Sequence, residues 1–347
     1  MHRYDYTFLK NSIPGNIVGL TEIIADLRSK EDFRKLQYSD TFEKLRQKAI
    51  IESVKGSNAI EGIITTDLRI KDIVDGAEPK THDEMEISGY KDALNLIHTN
   101  YSSMDIDEEI IFSLHRMLLA QTNPRQAGGY KKTNNFILEI APDGSRSVRF
   151  KPVPAKRVSN DMEQLLLAYY DARQDEEISS LLLIPCFVLD FLCIHPFIDG
   201  NGRVSRLLTV LLLYLSGYDI VRYISYEGQI NKYKDSYYAA LRTSSELWHE
   251  NENDYVPFII NFLQVLYKCF KDLDDSFTDI SLKKAKKSER VESILMEAIV
   301  PISKQDIIEK VPDISVKTIE LVLSKMMKEQ KIKKIGTFKD ARYMRNR

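Results

Sequence analysis

A mainly α-helical fold, with one β-hairpin beside a charged loop and a small C-terminal winged-helix domain, is the fold class this sequence predicts. Three observations carry it. Apolar residues recur at helical spacing on both sides of HPFIDGNGRVSR, residues 195–206: Ile184, Phe187, Val188, Phe191 and Leu192 precede it, and Val204, Leu207, Leu208, Leu211, Leu212 and Leu215 follow. Strand signals are few, the best being FILEI and SVRF around APDGSR, where Pro, Asp and Gly supply turn geometry for a hairpin at roughly 136–150. Charge is uneven: residues 281–347 hold 17 Lys and Arg against 9 Asp and Glu, whereas the whole chain of 347 residues carries a net charge of −2.

In chain order, apolar periodicity predicts helices around 16–29, 42–60, 84–99, 107–120, 158–173, 230–247 and 253–271, besides the two that flank the charged loop. Composition changes between the acidic KDLDDSFTD and the basic SLKKAKKSER, which places a domain boundary near 275–288. Beyond it, helical patterns at 288–299, 303–311 and 315–330 precede KIKKIGTFKDARYM. Its two short runs around Gly336 and Lys339 complete a winged-helix pattern. Lys317, Lys325 and Lys328 on the third helix, with Lys333, Lys334, Lys339 and Arg342 in the wing, make DNA a candidate partner; protein recognition or homodimerisation are the other uses of such a unit.

Composition narrows the function classes. With 43% hydrophobic and 29% charged residues the chain reads as an ordinary soluble protein. The N-terminus MHRYDYTFLK has no apolar signal core, and the longest apolar run, LLLIPCFVLDFLCI, is interrupted by Pro185 and Asp190 and is too short to span a bilayer, so no membrane role is expected. Cys186, Cys193 and Cys269 are odd in number and form no CxxC pair. They are expected to be reduced core residues, in keeping with a cytoplasmic location.

The loop itself carries the chemistry. Gly200 and Gly202 permit backbone shapes closed to other residues where a loop enters a helix whose first N–H groups attract anions. Arg203 and Arg206, three apart, project to neighbouring parts of one helix face and can hold a polyphosphate by paired hydrogen bonds. Cations there oppose the helix dipole, so a bound anion explains them better than stability does; a solvated helix end or internal ion pairs are the plainer readings. Asp199 makes sense as a Mg²⁺ ligand between loop and phosphates, or as a helix cap. His195 is the nearby group able to take a proton at neutral pH, unless it is merely a structural residue before proline. His82, His98, His115 and His249 lack such company in the sequence.

HPFIDGNGRVSR resembles the HPFx(D/E)GNGRxxR signature of Fic-domain proteins. LHRML at 114–118, GGYK at 128–131, FKPVP at 150–154 and YYAAL at 237–241 are similar to further landmarks of that family, in order. The resemblance implies a helical bundle with a hairpin flap, in which AMP passes from ATP to a Ser, Thr or Tyr hydroxyl of a target protein. It implies His195 as general base, Asp199 as metal ligand, Gly200, Asn201 and Gly202 as the anion nest, Arg203 and Arg206 as phosphate clamps, and Phe197 as the loop's apolar anchor. Auto-modification is a further implied outcome.

A second stretch, SNAIEG at 57–62, resembles the family's inhibitory (S/T)xxxE(G/N) helix and lies N-terminal to the core, as in one subgroup. The resemblance nominates Ser57 and Glu61 as inhibitory residues, with Glu61 competing for Arg206. The implied organisation is an N-terminal helical region at 1–100, a catalytic core at 101–275 and a winged helix at 283–347. Removal of AMP, transfer of another phosphate-containing group, and a DNA-binding regulator with a nucleotide-sensing core are the alternatives.

Overall fold

The computed structural model describes every residue except 1, 12, 141–144, 285, 286, 299, 300, 337–340 and 347. Ala141 to Gly144 of the hairpin turn and Lys339 of the wing therefore lie outside the described residues. The chain divides into two compact units, Met1–Leu273 and Asp274–Arg347. Residues 1–100 belong to the same unit as the region that follows them.

The first unit begins with α1 (Gly15–Gln37), α2 (Ser39–Ile60), α3 (Asp67–Val74), α4 (His82–Asn100) and α5 (Glu108–Leu119). A hairpin of β1 (Ile137–Ile140) and β2 (Arg146–Phe150) follows, pairing Ile137 with Phe150 and Ile140 with Arg146. Then come α6 (Val158–Arg173), α7 (Ser180–Ile194), α8 (Asn201–Leu215), α9 (Tyr226–Lys232), α10 (Lys234–Ser245) and α11 (Val256–Lys284), the last running into the second unit's first residues. The core centres on α7 and α8. Every residue from Leu181 to Ile194 is buried, and α7 runs through Pro185 rather than breaking there. Pro185 lies in the second turn, where it costs a single hydrogen bond that the surrounding apolar burial outweighs.

Asp190 explains how a carboxylate survives inside α7. It is fully buried and accepts hydrogen bonds from Tyr6 Oη, Trp248 Nε1 and Tyr255 Oη, each at 2.8 Å. Three donors meet the requirement that a buried charge be hydrogen-bonded, and they tie the N-terminal segment to the centre of the unit.

Two expectations differ from what is observed. The stretch 230–247 is not one helix, because Tyr233 (φ −116°, ψ 36°) leaves the α region and separates α9 from α10. One residue out of phase barely disturbs the apolar period, so the break is hidden in the sequence. The two-turn α3 falls outside the stretches with an apolar helical period; Thr66 caps it, and Arg69 grips Glu84 of α4 at 3.0 and 2.8 Å.

The second unit holds α12 (Lys287–Glu297), β3 (Ile302–Ser303), α13 (Lys304–Lys310), α14 (Val316–Lys328), β4 (Ile332–Ile335) and β5 (Arg342–Arg345), with the strands ordered β3-β5-β4, all antiparallel. Val291, Leu295, Ile307, Ile319, Leu323, Met326 and Ile332 form its own core. Ser303 and Asp306 make a reciprocal capping box at the start of α13.

Among the described residues no helix is long and apolar enough to cross a membrane. Cys186, Cys193 and Cys269 are buried free thiols, each with its pKa pushed up by burial, so they stay un-ionised.

Candidate active site

The site is built where α7 stops and α8 starts. Its loop opens on His195, held in the left-handed region (φ 52°, ψ 61°), a conformation that costs a non-glycine residue energy and persists only where its surroundings impose it. Gly200 (φ 81°) ends the loop and caps α8 without a side-chain cap, so Asp199 is not the helix cap. The Asp199 carboxylate turns outward, 60% exposed, with Oδ1 accepting from the Gly200 N–H at 2.6 Å and Oδ2 lying 3.7 Å from Arg203.

Buried groups fix the loop from below. Phe197 is fully buried and stacks on His115 of α5 at 3.7 Å between centroids. His115 Nδ1 accepts from the Gly128 N–H at 3.0 Å, which leaves its Nε2 hydrogen to donate to the Asp199 carbonyl at 3.1 Å. Burial pushes the His115 pKa down to about 4, keeping the ring in the neutral form these contacts need. Asn201 both accepts from the Phe197 N–H and donates to the Phe197 carbonyl, at 2.9 Å each, so its side chain braces the loop while its backbone remains in the helix's first turn.

Lys131 adds a third brace. Its N–H donates to the Pro196 carbonyl at 2.8 Å, and its buried ammonium donates to Asn135 Oδ1 at 2.7 Å and to the Ile194 carbonyl at 3.3 Å. Desolvation lowers its pKa to about 8. His115 and Lys131 sit in LHRML and GGYK, yet nothing in either stretch shows that it supports the loop. Only the stacking and the carbonyls they meet reveal that.

His195 Nδ1 lies 3.3 Å from the Leu192 carbonyl, which can only accept; the ring hydrogen belongs there and Nε2 keeps a free lone pair. Burial first, and the charge of Lys131 second, push the His195 pKa down to about 4, so the ring is neutral near pH 7.

The two arginines of α8 are both buried and both already paired. Arg206 Nε donates to Ser57 Oγ at 2.8 Å, and its Nη2 donates to the Ser57 carbonyl at 3.0 Å and to Glu61 Oε1 at 2.8 Å. Arg203 Nη1 pairs with Glu86 of α4. Glu61 caps the C-terminal end of α2 and reaches over Gly202, where a Cβ would overlap its carboxylate. Burial opposes ionisation of Glu61, but Arg206, Arg203 and Lys234 together outweigh it and hold the carboxyl below its ordinary value.

Two cavities meet at Glu61, His195 and Gly202, which line both. One, about 290 Å³, is walled by Phe136 and Ile137 of the hairpin together with Leu192, Tyr237, Tyr238 and Arg206. The other, about 390 Å³, is walled by Asp199, Gly200, Asn201 and Arg203 with His82, Asp83 and Glu86. The tyrosine pair both packs and lines the site: Tyr237 is 6% exposed. The aromatic-lined slot also holds Arg149 and Arg206, and it joins a polar, glycine-floored one in which Arg203 sits among the carboxylates of Glu61, Asp83, Glu86 and Asp199.

Residues 105–213 match the model of the Fic/DOC family. Protein adenylyltransferase Fic of Nematostella vectensis is 27% identical over 228 residues, covering 61% of this chain and 46% of the relative. The Drosophila yakuba protein of the same name is 27% identical over 259 residues, covering 68% and 47%. The chain thus spans about half the length of the curated relatives it matches. A Fic family protein from Desulfovibrio desulfuricans superimposes over 97% of both chains with a TM-score of 0.65 at 19% identity. For Fic-1 from Caenorhabditis elegans the TM-score is 0.59 over 76% of this chain and 74% of that one, also at 19% identity. The loop between α7 and α8 and His115, its brace on α5, both lie within residues 105–213, the part of this chain that matches the Fic/DOC family.

Proposed function

We propose that this protein transfers AMP from ATP to a hydroxyl side chain of a target protein, and that Glu61 holds the site in check by occupying Arg206. The observation that carries this reading is the seat of the Glu61 carboxylate, on the Arg206 guanidinium and over Gly202, beside the free Nε2 of His195. The names of the relatives, protein adenylyltransferase Fic, favour the same chemistry.

In this mechanism the base and ribose take the aromatic slot, and the phosphates lie along the loop and the two arginines. The target hydroxyl attacks the α-phosphorus, His195 Nε2 takes its proton, and the bond from the α-phosphorus to the bridging oxygen breaks to release pyrophosphate. The left-handed backbone at His195 and the Leu192 carbonyl together fix which ring nitrogen meets the hydroxyl. Arg203 and Arg206 offset charge on the phosphates.

The residues fit Mg²⁺. Asp199 offers an outward carboxylate, and no cluster of three metal-binding side chains accompanies it among the described residues, so such an ion would draw its other ligands from phosphate and water. When bound, it would neutralise phosphate charge.

Incubating purified protein with ATP labelled at the α-phosphate, with and without Glu61→Gly, tests the proposal: label should appear on protein, and more of it in the variant. Label that leaves a modified target, rather than joining it, would instead favour AMP removal with Glu61 positioning a water.

The second unit supports a winged-helix reading with DNA as partner, because Lys317, Lys328, Lys333, Lys334 and Arg342 are all exposed. Lys325 counts for less, being paired with Glu292 at 3.2 Å. Binding of full-length protein to duplex DNA should then weaken steeply between 50 and 200 mM salt, by about 10²-fold or more for a handful of phosphate contacts. No binding at low salt would leave protein recognition.

A further inference from the structure

The second phosphate-clamping arginine is paired as well, but with a carboxylate of another kind. Glu86 lies in the first half of α4, 9% exposed, and pairs with Arg203, whose side chain is 2% exposed. Its other oxygen is 3.6 Å from His82 Nδ1. Glu61 stands at a helix end with its side chain a third exposed. Glu86 is held on both sides. Arg69 locks Glu84, two residues earlier, to α3, and three residues later Gly89 packs so closely on α5 that a Cβ would overlap the Leu118 carbonyl.

Arg203 is also incompletely satisfied. Its buried Nε–H has no acceptor among the described residues, although the residue lines the polar cavity. Asp199 lies on its opposite side, 3.7 Å from Nη2. A buried donor without an acceptor is costly, and a guanidinium fixed at one edge presents its other N–H groups in a set direction.

We propose that Glu86 is a positioning residue for Arg203: it anchors one edge of the guanidinium so that the unpaired edge meets nucleotide phosphate, and it keeps the side chain from collapsing onto Asp199. The proposal rests on the phosphate-clamping reading of Arg203. It makes the two arginine–carboxylate pairs opposite in sense, Glu61–Arg206 a brake and Glu86–Arg203 a brace.

The test is a double-mutant cycle in the Glu61→Gly background, with Glu86→Ala, Arg203→Ala and the pair together, read by calorimetric titration with ATP and by kcat and KM for AMP transfer. Glu86→Ala should weaken ATP binding at least tenfold, and the double variant should be no worse than Arg203→Ala alone. Glu86→Gln, which keeps the shape and an acceptor, should recover part of the loss, and thermal melts identify any variant that has not folded. Additive losses would overturn the proposal, because Glu86 would then act on something other than Arg203. Unchanged or tighter binding in Glu86→Ala would also overturn it, the latter marking Glu86 as a second brake. If Glu61→Gly transferred no AMP at all, the proposed reaction would fail while the binding cycle still judged Glu86.

Discussion

Replacing Glu61 by glycine changes one half of the Arg206 environment and leaves the other intact. The guanidinium keeps Ser57 Oγ on Nε and the Ser57 carbonyl on Nη2, so it stays where it is and loses only its carboxylate. A hydrogen bond to a charged group contributes about 1.5–3 kcal/mol. Glu61 is a third exposed, so solvent screening puts the Glu61–Arg206 contact at the low end, about 1.5–2 kcal/mol. Each 1.36 kcal/mol is a factor of ten, which puts the gain in productive nucleotide binding at roughly 10- to 30-fold. Stability should move the other way, because Arg206 remains buried with its charge no longer matched. The assay follows incorporation of α-phosphate label into the protein itself and into target across a range of ATP and Mg²⁺ concentrations, beside a thermal melt. Rising incorporation with a falling Tm is expected, and Arg206→Ala should be inactive in either background. If activity stayed level or dropped at every concentration, the competition between Glu61 and phosphate for Arg206 would be the wrong explanation of the contact.

His195→Ala should reduce transfer by about 10²- to 10⁴-fold while leaving the fold and most ATP affinity, and near-native rates would remove it as the base. With the His195 pKa lowered to about 4, the ring is proton-free down to pH 5; Glu61→Gly also removes a carboxylate that raises this pKa, so activity in that variant should fail only at about pH 4 or below, and adding Lys131→Met, which removes the nearby cation, should move that acid limb upward. Asp199→Ala should lower activity and flatten its response to Mg²⁺, an unchanged titration counting against the metal assignment. His98, His115 and His195 all have folded pKa values lowered to about 4, and the unfolded chain takes up protons near 6.5 that the folded chain refuses. Stability should therefore be full above about pH 6.5 and fall as pH drops towards 4, which melts at stepped pH would show; a flat profile over that window would contradict the burial of these rings.

The sequence by itself determined the parts of this protein whose chemistry is local. An apolar period of 3.6 residues marked α7 and α8, and the loop between them could be read as an anion site because two glycines, two arginines, an aspartate and a histidine fall within twelve consecutive residues. The family resemblance extended that reading to Glu61, whose carboxylate does meet Arg206. Only the tertiary structure decided what lies beneath and across from the loop. Glu86, His115 and Lys131 precede His195 by 109, 80 and 64 positions and act through a buried guanidinium, a stacked ring and two backbone carbonyls. None of these contacts leaves a spacing in the chain, since packing between helices is set by which faces meet and not by distance along the sequence. The double role of Tyr237 and Tyr238 was hidden for the same reason: an aromatic residue at a helical period reads as core, and whether a cavity opens beside it depends on where the hairpin comes to rest.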